Sequence, residues 1–424
     1  MKVNAYDYLK KTAETVLRTC SFEKETDYFG EKQKRVLLLP SGDEKYGSFW
    51  LRDCAMMAGS GLIPDDRLRE YVLLFAAHGQ NGGTERKLKN GLIVPPYALC
   101  DHLNYDGRPV FYPGTMSSGD DQGDGTFGIL PPIDDNYYFI LMAAQYVRQS
   151  GDKAILDTVC GDLTLRDRLL SAFEGIRPDP ETGLCCSDPV RRAVDWGFCD
   201  TVRKSGLLLM PSLLRANAAM ALNDLIGNGT GHTRFPAIRQ QIVESLAEML
   251  YDPESGWFLS ASGRCRQHDV WGTVYAVYSG LVRKDLLPGT LDAIRRAYLD
   301  GTAVRNGAVR HILSNENRSL DSAWEDTTGV ALDDYQNGAY WPTATGWYFH
   351  VLYLADKAAA FALLTDHIRY TIEHASEGAP FEFFHPVTGR FSGRRYGTSA
   401  ALPFAALEKL KKEGLIITDP EIEY

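Results

Sequence analysis

Apolar positions along the chain recur at helical spacing in segment after segment, and few stretches alternate as strands do. The pattern predicts helices at 4–20, 50–60, 66–79, 134–149, 152–176 and 205–227. Further helices are predicted at 234–251, 270–282, 287–301, 342–355, 357–376 and 398–412. Taken two by two they form six pairs at a coarse period of roughly seventy residues, a repeat of architecture rather than of sequence. The two members of a pair differ. The first is amphipathic, as in Arg234–Tyr251, with charges on one side and apolar residues on the other. The second is apolar nearly all round, as in Leu207–Leu225 and Trp271–Val282, and a helix of that kind must be buried on every side.

Half-exposed helices alternating with buried ones describe an outer ring around an inner ring. The expected fold is therefore all-α, an (α/α)6 barrel or six-hairpin toroid with small β-hairpins in its connecting loops, formed by residues 1–424 as a single domain. An open solenoid of helix pairs is the rival. Solenoid connections are short and alike, whereas here the turns inside the pairs are long, all different, and rich in Gly, Pro, Asp and aromatic residues. Gly91–Pro132 alone holds about forty residues, and long irregular loops in a compact domain are usually functional.

Composition narrows the function. Hydrophobic residues make up 44% and charged residues 24% of 424, normal for a globular chain. A formal charge of −10 without any Lys/Arg-rich run argues against nucleic-acid binding, which depends on phosphate neutralisation. The segment after Met1 lacks the apolar run of a signal peptide, and no stretch of eighteen apolar residues exists. The eight cysteines are scattered without a C-x-x-C motif, a pattern suited to reduced thiols. These features lead to the expectation of a cytoplasmic protein with no cofactor, no metal, no membrane and no nucleic-acid partner.

The loops ahead of the six buried helices carry the unusual residues. Phe49-Trp50-Leu51-Arg52-Asp53 stands before the first and Ile133-Asp134-Asp135-Asn136 before the second. Val194-Asp195-Trp196-Gly197-Phe198-Cys199-Asp200 precedes the third, and His268-Asp269-Val270-Trp271 the fourth. Tyr335-Gln336-Asn337-Gly338-Ala339-Tyr340-Trp341-Pro342 precedes the fifth, and Phe381-Glu382-Phe383-Phe384-His385-Pro386 the sixth. In a barrel of hairpins all six meet at one end of the axis, so carboxylates and aromatic rings surround one cavity. Such a lining suits sugars, whose hydroxyls want carboxylate, Arg and Asn partners and whose C–H faces stack on rings. Cleaving a glycosidic bond then requires a carboxylic acid to protonate the leaving oxygen and a second carboxylate to activate water or attack the anomeric carbon. Each residue also has a plainer explanation. Arg-Asp and Asp134 or Asp135 suit helix N-termini, the tryptophans suit a core, and Glu382 suits a hairpin surface. The functional case rests on six coincident placements.

These motifs resemble the six-hairpin glycosidases, and most closely the neutral/alkaline invertases. Phe49–Asp53 is similar to their I-R-D segment, and similar Arg-Asp pairs in glucoamylases hold hydroxyls of the terminal sugar. Val194–Phe198 is similar to V-D-S-G-L, whose Asp is the catalytic acid. Tyr335–Pro342 resembles Y-H-N-G-G-S-W-P, and Glu382–Gly393 resembles E-Y-Y-D-T-R-R-G-R-F-I-G, whose Glu is the second catalytic carboxylate. The resemblance implies an inverting glycoside hydrolase acting on a small glycoside, with Asp195 as general acid and Glu382 as general base. Trp196, Gln336 and Tyr340 depart from the invertase pattern, which puts sucrose in doubt. Gly197–Arg203 has some of the trehalase G-x-D-x-S-x-R character, making Asp200 the alternative acid. Trp50, Arg52, Asp53, Asp134, Asp135, Trp196, His268, Trp271, Gln336, Asn337 and Trp341 are expected to bind the sugar. A sugar epimerase, which would want paired histidines such as His268 and His385, remains an alternative. So do a phosphorylase using Arg394 and Arg395, and a non-catalytic helical scaffold.

Overall fold

The alternation of half-exposed and buried helices is borne out. The computed structural model describes residues 2–28, 30–43, 45–194, 199–227, 234–316, 330–416 and 420–423. Among these residues twelve α-helices follow in order. They are α1 (Ala5–Thr19), α2 (Leu51–Ala58), α3 (Asp65–Leu74), α4 (Asp135–Ser150), α5 (Leu165–Gly175) and α6 (Leu209–Ile226), then α7 (Arg234–Met249), α8 (Val270–Tyr278), α9 (Leu287–Leu299), α10 (Thr345–Ala355), α11 (Lys357–Glu373) and α12 (Gly397–Lys412). The amphipathic α7 buries only Phe235, Ile242, Val243 and Leu246, whereas α2 is buried throughout. In α10 every residue from Thr345 to Tyr353 is buried.

The even-numbered helices pack in sequence, α2 on α4, α4 on α6, α6 on α8, α8 on α10 and α10 on α12, and α12 returns to α2. The odd-numbered helices lie against this succession: α1 on α12, α3 on α4, α7 on α6, α11 on α10, α5 against α4 and α6, and α9 against α8 and α10. One continuous apolar cluster runs from Ala5 to Ile422. Burial on both sides is what the all-round apolar helices need, and a closed succession supplies it without an exposed end.

Two glycines set how closely the buried helices approach. A Cβ at Gly346 of α10 would lie 2.3 Å from the Leu402 carbonyl oxygen of α12, beside Pro403 within that helix. A Cβ at Gly397, at the start of α12, would lie 2.1 Å from the Met57 sulfur of α2. Backbone, not a yielding side chain, blocks the first position.

The connections hold short antiparallel hairpins, as expected, the longest pairing Ser21–Tyr28 with Glu31–Leu38 between α1 and α2. The predicted helix at 152–176 is corrected. A 3-10 turn covers Lys153–Asp157, and a two-residue hairpin then turns through Gly161 at φ 72°. The α-helix starts afresh at Leu165, where Thr164 accepts from the Asp167 amide. Helix α3 continues into a π-helical turn at Phe75–Gly79, which accounts for the longer reading of 66–79. No helix among the described residues is long and apolar enough to cross a membrane.

Because the Leu402 carbonyl cannot move without bending α12, Gly346→Ala is expected to destabilise the fold by about 1–3 kcal/mol, the usual cost of overpacking. Urea denaturation monitored by circular dichroism checks this; an unchanged midpoint would show that the α10–α12 seam yields freely.

Candidate functional site

The loops entering α2, α4, α6, α10 and α12 build a cavity of about 340 Å³. Tyr46, Trp50, Arg52 and Asp53 come from the entry to α2, and Asp101, Pro113, Gly114, Thr115, Met116 and Phe127 from the long loop before α4. Asp200 and Thr201 precede α6, Tyr335 and Gln336 precede α10, and Tyr396 directly precedes α12. Backbone bridges tie these loops together, Leu130 to Ala193 and Tyr340 to Phe384.

Arg52 organises one side of the cavity. Its Nε donates to Asp134 Oδ2 at 2.9 Å, and its Nη1 donates to both Asp200 oxygens at 3.2 Å. All three residues are buried. Gln336 Nε2 donates to Asp200 Oδ2 at 3.2 Å, while Gln336 Oε1 accepts from the Thr201 amide at 3.0 Å. Asp134 occupies the N-cap position of α4 without making a cap bond, because its carboxylate is turned to Arg52. Burial pushes the Asp134 carboxyl up to about 7, against the pull of Arg52. Asp135, fully buried next to it in sequence, has no hydrogen-bond partner on either oxygen among the described residues. Burial first, then the Asp134 charge, drives its pKa well above the ordinary carboxylate range.

Asp53 lies in the first turn of α2 and accepts from the Tyr396 hydroxyl at 2.9 Å. Burial raises its pKa to about 7, with Tyr396 and Arg52 opposing. Asp101 Oδ2 meets His102 Nδ1 at 2.8 Å, and the His102 ring lies 4.1 Å from the Trp50 ring.

Glu382 sits one hydrogen bond beyond the lining. Only 1% exposed, it accepts from the Tyr46 hydroxyl on Oε1 and from Lys45 Nζ at 2.6 Å on Oε2. Burial raises its pKa, with Lys45 and Tyr46 pulling the other way. The opposing strand leaves room for it at Gly393, which has φ 62°; a Cβ there would lie 2.5 Å from the Glu382 Cβ. Burial also holds Tyr46, Tyr335 and Tyr396 well above the usual phenol range, so all three remain proton donors.

The structure therefore brings together Trp50, Arg52, Asp53, Asp134, Asp135, Asp200, Gln336 and Glu382. Asp195 and Trp196 lie outside the described residues. The expected sugar contacts at Trp271, Trp341, His268 and Asn337 are not part of the cavity lining. Trp271 is 1% exposed and stacks on His311 at 4.2 Å, and fully buried Trp341 packs edge-on to it and against Phe383. His268 is taken up by Glu316 at 2.8 Å and Asp252 at 3.1 Å, and Asn337 donates to the Val330 carbonyl within its own loop. The loop before α8 thus contributes nothing to the lining. Its Asp269 instead caps α8 through the Gly272 amide at 2.7 Å.

Sequence reasoning missed Lys45, Tyr46, Asp101 and Tyr396. Tyr396 had a signal, since it immediately precedes the last buried helix as Trp50 precedes the first. Lys45, Tyr46 and Asp101 stand in irregular loop with no motif to mark them.

No protein-family profile matches the chain, and no curated protein matches it. Solved structures do. A rhamnosidase from Klebsiella oxytoca with rhamnose bound aligns over 97% of this chain with a TM-score of 0.58 and 13% identity. The aligned chain spans 64% of that rhamnosidase. A GH63 mannosylglycerate hydrolase from Thermus thermophilus, in complex with Tris and D-glycerate, aligns over 94% of this chain and 99% of its own, with a TM-score of 0.56 and 14% identity. A glycosidase variant in complex with glucose aligns over 97% and 98%, with a TM-score of 0.58 and 13% identity. These alignments show that the chain shares its fold with glycosidases of known structure.

Proposed function

We propose that this chain is a glycoside hydrolase, a single (α/α)6 barrel over residues 1–424 that cleaves a small glycoside or oligosaccharide with inversion at the anomeric carbon. One observation carries the reading: a cavity with a guanidinium–carboxylate floor and aromatic walls has a second buried carboxylate, Glu382, hydrogen-bonded to its lining through Tyr46. At about 340 Å³ it is near the lower end of the usual ligand-pocket range of roughly 300–1,000 Å³, which suits one sugar ring. Arg52, Asp53, Asp101 and Asp200 supply hydroxyl partners, and Trp50, Tyr335 and Phe127 supply apolar faces.

Glu382 is the general base, and Asp195, which precedes α6 in the sequence, is the general acid. Asp200 is the less suitable acid because both its oxygens already accept from Arg52, and one also accepts from Gln336. The fold is shared with a rhamnosidase and a mannosylglycerate hydrolase, which agrees with a hydrolytic role. The epimerase reading has less support, since His268 is held by Glu316 and Asp252, and His385 Nδ1 accepts from the Val387 and Thr388 amides. Phosphorolysis has less support because Arg394 and Arg395 are exposed and outside the cavity lining.

Asp195→Asn is expected to lower kcat by roughly a hundred- to ten-thousandfold, the usual weight of general acid–base catalysis. The loss should shrink on aryl glycosides whose leaving groups need no proton. Should Asp200→Asn display that leaving-group dependence and Asp195→Asn not, the two residues exchange roles.

Glu382→Gln preserves shape but cannot take a proton, so turnover should collapse while binding of the intact substrate, measured by calorimetry, persists. The first-formed sugar, followed by NMR before mutarotation, should carry the inverted configuration. A retained configuration would instead make Glu382 a nucleophile, which calls for carboxyl groups only about 5–5.5 Å apart.

Asp53 predicts a pH effect on affinity. Below about pH 7 its carboxyl is protonated and can donate to a sugar hydroxyl; above it both oxygens accept. Substrate Kd should therefore inflect near neutrality in the parent protein and lose that inflection in Asp53→Asn. A persistent inflection would assign it to another group.

A further inference from the structure

The Lys45 ammonium lies 2.6 Å from Glu382 Oε2 and 2.8 Å from Ser392 Oγ. Three aromatic rings fence it: Tyr46 at 4.9 Å, Phe383 at 5.6 Å and Tyr335 at 5.7 Å from ring centroid to Nζ. Its own side chain is 35% exposed, while that of Glu382 is 1% exposed. Lys45 thus reaches from the exposed surface to a carboxylate that is almost wholly enclosed. The remaining titratable groups acting on Glu382 are neutral or acidic. Tyr46 donates to Oε1, Tyr335 and Tyr396 surround it, and Asp43 and Asp53 carry charges of like sign. Among the described residues, Lys45 is the cation in ion-pair contact with Glu382.

We propose that Lys45 is a positioning residue that keeps Glu382 ionised and aimed, and so sets the acidic limb of the enzyme's pH profile. The proposal rests on Glu382 being the base. Desolvation favours the protonated carboxyl, and a cation in contact opposes it. Tyr46 contributes a hydrogen bond that also favours the carboxylate but brings no positive charge. The aromatic fence matters because it limits the hydration of the ammonium and restricts its approach to one direction. With Lys45 removed, burial is opposed less strongly, by the Tyr46 hydrogen bond without the contacting charge, and Glu382 holds its proton to higher pH.

The test uses the full chain with Lys45→Met, Lys45→Arg and Glu382→Gln. The rate readout is kcat/KM against pH on a hydrolysed aryl glycoside. The second readout is the infrared carboxyl band of Glu382 through a pH titration, assigned by its absence in Glu382→Gln. Lys45→Met should move the acidic limb up by about one unit or more, the usual effect of one contacting cation. The alkaline limb should stay in place. Lys45→Arg should restore the limb toward its parent position, which a merely structural role would not require. The infrared band should shift in the same direction in Lys45→Met.

The two readouts separate two kinds of failure. A band that shifts while the rate limb stays fixed, or that shifts in a protein without glycosidase activity, upholds Lys45 as the cation on Glu382 and overturns Glu382 as the base. A band that titrates at the same pH in Lys45→Met and parent overturns the Lys45 proposal, whatever the rates do.

Discussion

The guanidinium of Arg52 joins the entry to α2 with the loops before α4 and α6 by binding Asp134 and Asp200 together. All three groups are buried, and burying ions is unfavourable unless geometry and hydrogen bonds repay the lost hydration. Hydrophobic side chains could fill the same space at no energetic loss, so stability is a poor explanation for the arrangement. It explains position better. A planar cation with fixed donor directions fixes the orientation of two carboxylates from separate loops, which apolar packing cannot do. The dependence is one-sided, since removing Arg52 would leave two acids buried without their cation. Breaking a buried pair of this kind typically costs about 3–5 kcal/mol.

Glu382 forms the other pole of the site, and its support has a different design. Arg52 is buried and shared between two acids; Lys45 is partly exposed and serves Glu382 and a serine hydroxyl. A buried guanidinium holds a floor rigidly, while a lysine at the rim can adjust as water enters. Between the poles stand Tyr46, Tyr335 and Tyr396, all held as proton donors by burial. The Tyr396 and Tyr46 hydroxyls orient Asp53 and Glu382, respectively, without adding charge.

The helices were legible because burial on all sides or on one leaves different periodicities, and α7 and α8 read correctly from theirs. The break before α5 was not, because the apolar spacing continues across Gly161 although the backbone turns there. In the site, Arg52, Asp53, Gln336 and Glu382 stood out by their place ahead of buried helices. The same rule misdirected Trp271 and Trp341, because position along a loop does not say which way a ring faces, and both face inward. Lys45 and Asp101 were illegible for the opposite reason. Each is brought to the site by the path of an irregular loop, which no short-range pattern encodes.

That the carboxylates gather at the N-terminal ends of the even-numbered helices has an electrostatic side. Asp53 and Asp135 stand in the first turns of α2 and α4, and Asp134 at an N-cap, where unpaired amides give the helix end a partial positive charge. Such an end stabilises an anion by about 0.3–1 kcal/mol. One pKa unit corresponds to roughly 1.4 kcal/mol, so a helix end moves a carboxyl by less than a unit. Burial acts more strongly, raising Asp53 and Asp134 to about 7. Helix ends alone therefore cannot keep these acids charged. A cation in contact opposes burial, as Arg52 does at Asp134 and Lys45 does at Glu382. Asp135, with no hydrogen-bond donor on either oxygen among the described residues, is driven by burial well above the ordinary carboxylate range.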